Sequence, residues 1–180
     1  GLSHEDAIRD LIVSVLISPK FCYRLDLIDA GAARTSSRYQ PLSGYALASR
    51  LSYFLWASMP DDELLAAAGS LHRKDVLLAQ TRRMLKDPRV RGMAREFGGN
   101  WPDFRRFEQH NAVDRERFPA FTNDLREAMF EEPVRLIEDV IRNDRSILDL
   151  IYARDTFVNP SLARHYGMPV PAGNETHWVH

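Results

Sequence analysis

The stretch Leu47–Leu65, LASRLSYFLWASMPDDELL, decides the fold. Leu47, Ala48, Leu51, Phe54 and Leu55 recur at helical spacing, which predicts a helix with one apolar face and Trp56 directly behind it. Pro60 then forces a corner. Asp61 can cap a second helix through Leu65, with Asp62 and Glu63 in the first turn where the helix dipole favours acids. An aromatic-aliphatic face with a tight corner is a core for smaller helices to gather around.

The neighbouring segments read the same way. Upstream, Ser3 and Asp6 predict a cap, and Ile8, Leu11, Ile12, Val15 and Leu16 a stripe that reads as a buried helix ended near Pro19. Residues 21–28 read as a short helix or an extended connector. The small and polar run 29–43 is the expected linker, and Ser43 a cap for the central helix. Downstream, a helix over 74–86 turns Leu77, Thr81, Met84 and Leu85 inward. Asp87-Pro88 restarts the chain, and Val90, Met93, Ala94 and Phe97 are expected inside until Gly98-Gly99 stop that helix. Thr122 opens the longest helix, to about Asn143, with Leu125, Ala128, Met129, Leu136, Val140 and Ile141 inward and a kink expected at Pro133. Ser146 and Asn159-Pro160 start two further short helices, the second ended by Gly167. No stretch alternates as a strand does. The expected class is all-α, an irregular bundle of seven or eight helices. Its segments are 1–28 (N-terminal helical segment), 29–43 (linker), 44–170 (main domain) and 171–180 (a second linker).

Composition narrows the function classes. With 180 residues, 44% hydrophobic and 27% charged, the chain can bury one good core. A net charge of -1 gives no basic excess for nucleic acid, and no apolar run approaches the length of a membrane span. Cys22 is the one cysteine, so a C-x-x-C-H haem attachment is missing from these residues. Gly1 opens the chain without an initiator methionine or a signal peptide, which suggests a piece of something longer.

Six histidines are scattered without a metal-binding spacing. His165 stands out: beside Tyr166 and three residues before Met168, it can be read as an axial iron ligand paired with Met168, or as a helix-terminal histidine favoured by the dipole. Asp61–Glu63 read as capping acids, and Glu131 and Glu132 as partners one turn ahead of Arg135. The long loop 100–118 interleaves Trp101, Phe104 and Phe107 with Arg105 and Arg106. That pattern reads as a docked loop or domain contact, or as a polymer-binding surface.

Four segments carry a family resemblance: LASRLSYFLWASMPDDELL, RRMLKDPRVRGMAREFGGNW, FPAFTNDLREAMFEEP and NDRSILDLIYARDTFVNPSLARHYGMP. Over about Leu42–Pro169 the chain resembles the surface-type domains of exported, cytochrome-associated proteins of planctomycetes, acidobacteria and related bacteria. Gly1–Leu27 resembles the small helical domain that precedes this one there. The resemblance implies an exported setting at the periplasm or cell surface, a c-type haem domain elsewhere in the parent, and other domains of the same polypeptide as partners. It supplies no catalytic residues.

The first expectation is therefore a non-catalytic helical scaffold or docking module. A second is part of an active site of a haem-dependent oxidoreductase or polymer-processing enzyme, with His165, Tyr166 and Asp62 as acid-base or ligand candidates. The third is a purely structural cell-surface domain.

Overall fold

Ser43 starts the central helix as its sequence predicts. In this computed structural model, which describes residues 3–23, 41–108 and 113–180, the Ser43 hydroxyl accepts the Ala46 N–H at 3.2 Å, and α3 runs Gly44–Trp56. Residues 24–28, the 29–40 part of the expected linker and His110 lie outside the described residues. Asp61 caps α4 (Asp62–Ala66) by accepting the Leu64 N–H at 3.0 Å. α5 spans Lys74–Lys86. Together these elements bury Ala48, Leu55, Trp56, Leu64, Leu71 and Met84 in one cluster. Trp56 is locked there, because its indole N–H donates to the Met84 carbonyl at 3.0 Å. Phe54, expected inside, is exposed. Ser52 is buried in its stead, its hydroxyl satisfied by the Ser58 carbonyl at 2.8 Å.

α6 (Arg91–Met93) passes into a π-helical segment, Ala94–Gly98. Two glycines allow the close approaches: a β-carbon at Gly92 would sit 2.2 Å from the Trp56 carbonyl oxygen, and one at Gly98 would sit 2.5 Å from Ile137 Cδ1. Gly98 therefore lies within the helical run rather than ending it. The wider π turn leaves Phe97 outside, 52% exposed and stacked on Trp101, where a buried residue was expected.

α7 (Asn123–Arg142) begins at Thr122, whose hydroxyl accepts the Leu125 N–H, and continues through Pro133. It serves two clusters. Phe130, Val134 and Ile137 pack with Ala94 and Phe104, while Leu125 and Ala128 pack with Val158, Leu162 and Ala163. Arg91 joins α6 to this helix by ion pairs to Glu131 and Glu138. Two short helices follow, α8 (Asp149–Tyr152) and α9 (Pro160–Tyr166). The fold is all-α, as expected. Among the described residues there is no helix long and apolar enough to cross a membrane.

The N-terminal end differs from expectation. The N-terminal helix α1 (His4–Leu16), capped by Ser3, contains no buried residue. Its stripe, and Phe21 and Tyr23 around the following α2 (Pro19–Cys22), face outward. The last ten residues, which include Pro171 and Gly173, are irregular, and they are docked. Val179 pairs with Val158 through backbone hydrogen bonds of 2.9 and 3.0 Å, Trp178 packs toward Leu125 and Ala128, and Asn159 donates to the Glu175 carbonyl at 2.9 Å.

Candidate functional site: the clefts at His165

α9 is held at both ends. Asn159 Oδ1 accepts the Leu162 N–H at 2.9 Å, Pro160 occupies the first turn, and Gly167 stops the helix with a positive φ of 68°. The Met168 N–H then reaches back to the Ala163 carbonyl at 2.9 Å. This glycine stop fixes His165 in the last turn.

The segment facing His165 is ordered by its own hydrogen bonds. Asp114 Oδ1 accepts the N–H groups of Glu116 and Arg117 at 3.0 and 3.1 Å, and its carbonyl accepts the Phe118 N–H at 2.9 Å. Phe121 N–H closes on the Phe118 carbonyl at 3.0 Å, just before the Thr122 cap. An open cleft of about 450 Å³ results, walled by Phe118, Pro119, Phe121 and Leu125, with Arg117 and His165 as its polar groups. His165 also lines an adjoining polar cleft of about 370 Å³ with Thr122, Asp124, Ser161, Arg164 and Glu175. The imidazole thus stands at the seam between an apolar and a polar concavity.

Tyr166, the next residue, is committed elsewhere. Its hydroxyl donates to Glu132 Oε2 at 2.7 Å, and Thr156 donates to Oε1 of the same carboxylate at 2.7 Å. Burial, reinforced by the Glu132 charge, pushes the phenol well above the usual tyrosine range. Glu131 pairs with Arg135 one turn on, as expected, whereas Glu132 does not.

Asp62 is exposed in the first turn of α4, among the elements of the α3–α5 cluster, and does not join His165 and Tyr166. Its neighbour Asp61 holds the more constrained position. Arg83 donates to both of its oxygens at 2.8 and 3.0 Å, Arg89 adds a bond of 3.0 Å, and the Arg83 guanidinium above all holds the carboxyl far below the usual range. Arg89 in turn lies 3.5 Å over the Trp56 ring. These groups satisfy one another and lock the corner.

The aromatic loop divides. Phe104 packs edge-on against Phe130, and Phe107 against Phe121, with centroids 5.6 and 6.0 Å apart. Trp101 faces out, Arg105 pairs with Glu96, and Arg106 is exposed beside Asp103 at 3.6 Å. Phe104, Arg105 and Phe107 are thus half-buried, while Trp101 and Arg106 are exposed. Phe107 backs a wall of the His165 cleft.

One cysteine cannot make the two thioether bonds of a c-type haem, and among the described residues Met168 lines neither of the two clefts that His165 lines. Among the described residues, no group of three or more His, Cys, Asp or Glu side chains could hold a metal ion. Sequence reading missed Arg117, Phe118 and Phe121, and only the length of their loop signalled them.

A family model described as a protein of unknown function (DUF1592) matches residues 42–168, and the chain belongs to that family. No curated protein and no solved structure matches it.

Proposed function

We propose that this member of the DUF1592 family is a helical docking module whose N-terminal face is covered by another domain of the same polypeptide. The observation that carries the reading is α1. Ile8, Leu11, Ile12, Val15 and Leu16 form one apolar stripe, and none of them is buried. A 13-residue helix gains little stability by itself in water, so a stripe of this kind calls for a cover. Among the described residues the main domain packs into three clusters, and none of them includes the stripe.

The setting we propose is an exported polypeptide that carries a c-type haem outside these residues. What supports it is the resemblance of the four segments quoted above. The enzyme reading has less support, because Asp62 stands apart from His165 and Tyr166 is tied to Glu132.

The test is a visible absorption spectrum of the intact parent protein, with and without reductant, for wild type and His165→Ala. The docking reading expects a haem spectrum indifferent to the substitution. A spectrum that changes would place His165 at the iron and overturn the non-catalytic reading. Absence of haem would overturn the redox setting and favour a structural cell-surface domain.

A further inference from the structure

We infer that the cleft between α9 and the 113–121 segment is a binding site for a small aromatic or aliphatic acid. The inference is independent of the docking reading, which rests on α1. The cleft's volume, about 450 Å³, falls in the range of small-molecule sites, which are mostly apolar with a few placed polar groups. Phe118, Pro119, Phe121 and Leu125 offer an apolar body-binding surface.

The polar lining gives the ligand's sign. Arg117 and His165 both line the cleft, and among the described residues no carboxylate does so. Arg117 stands beside the Phe118 ring, 5.7 Å from its centroid, and among the described residues its guanidinium has no carboxylate partner. A guanidinium presents a planar fork of donors that matches a carboxylate, and its attraction is strengthened beside an apolar wall. His165 lines the same cleft and offers a ring nitrogen as a second polar contact for the acid, while Asp124 and Glu175 line the adjoining polar cleft and keep the anion on the Arg117 side.

The other concavities do not offer this combination. A larger one among the described residues, about 820 Å³, is lined by Asp124, Glu127, Glu131 and Glu175 as well as Arg95 and Arg135. There Arg135 already pairs with Glu131 and lies 4.5 Å over the Trp178 ring.

The wall that carries the site is preset. The Asp114 bonds fix the backbone of Arg117 before any ligand arrives, so binding does not have to order it. Phe107 supports Phe121 from behind.

The experiment is calorimetric titration of the full chain with 2-naphthoate and with its uncharged counterpart 2-naphthylmethanol. Wild type is expected to bind naphthoate more tightly than the alcohol. In Arg117→Gln, naphthoate affinity is expected to fall about tenfold while alcohol affinity is unchanged. His165→Ala is expected to weaken naphthoate several-fold. Both side chains are exposed, so neither variant threatens the fold. Failure of naphthoate to bind, equal binding of the two probes, or an Arg117→Gln titration identical to wild type would each overturn the proposal. The last result would assign the heat to apolar surface elsewhere, α1 included.

Discussion

Arg83 grips Asp61 across 22 residues, with both terminal guanidinium nitrogens hydrogen-bonded to the carboxylate, at 2.8 and 3.0 Å. The same carboxylate caps α4, so one side chain fixes the corner after Pro60 and ties it to α5. Asp61 has a folded pKa far below its unfolded one, near ~4. The pair therefore adds stability above that range and loses it as pH falls toward the folded value. Asp61→Asn is expected to cost about 2 kcal/mol at pH 7 and progressively less below pH ~4. Urea unfolding at several pH values, followed by circular dichroism, checks this. A gap that stays constant into acid would show that the ionised pair is not the source.

Trp56 is expected to be the most costly aromatic to alter. In Trp56→Phe the Met84 carbonyl loses its indole donor and Arg89 loses the ring it covers at 3.5 Å. The Met84 carbonyl keeps the Asp87 N–H at 3.2 Å, so the loss is one buried hydrogen bond and the cation–π contact, together about 2 kcal/mol. For a chain of this size that lowers the melting temperature by roughly 4–8 °C. Calorimetry of the variant beside Phe54→Leu, at an exposed site in the same helix, separates the core effect from aromatic content.

Tyr166 should titrate late. Its pKa is raised, so the hydrogen bond to Glu132 contributes below the ordinary tyrosine range and is lost as pH rises through the folded value. Spectrophotometric titration of phenolate absorbance is expected to show one tyrosine ionising after the others, and to lose it in Tyr166→Phe. The stability cost of that variant should stay within about 1 kcal/mol, since the side chain is half exposed. An unchanged titration curve would detach the late step from Tyr166.

What could be read from the sequence follows from range. The caps at Ser43, Asp61, Thr122 and Asn159 each act within three residues, and all four hold. The partners Arg83–Asp61 and Tyr166–Glu132 are 22 and 34 residues apart, and no local pattern announces them. Periodicity located the helices but misplaced single faces. Phe97 turns outward because a π segment widens its turn, and Phe54 because Ser52 takes the inner position with its own hydrogen bond. The His165 cleft needed the fold, since its walls come from α9, the 113–121 segment and the start of α7. His165 itself was legible, and its companions were not.

Gly92 and Gly69 should respond in opposite ways to one methyl group. At Gly92 the new β-carbon would meet the backbone carbonyl of Trp56 at 2.2 Å, an obstacle that cannot move without shifting α3 against α6. At Gly69 nothing lies within 4 Å, and φ is not in the left-handed region. Gly92→Ala is expected to cost 3 kcal/mol or more by overpacking, at about the upper end of such effects. Gly69→Ala should be neutral or stabilising by up to about 1 kcal/mol, through the loss of unfolded-state freedom. Denaturant midpoints of both variants decide it.

The apolar stripe of α1 gives the last contrast. Leu64 is fully buried, and Leu64→Ala is expected to cost 2–5 kcal/mol at about the usual rate for a core leucine. Leu11, 65% exposed, touches no core cluster, so Leu11→Lys should leave the unfolding midpoint of this chain within about 0.5 kcal/mol of wild type. In the intact parent the same substitution should be destabilising by about 2 kcal/mol or more, because there the stripe is covered and a lysine would be forced against apolar surface. Parallel melts of chain and parent measure the difference. A Leu11→Lys parent as stable as wild type would leave α1 uncovered and remove the observation on which the docking role rests.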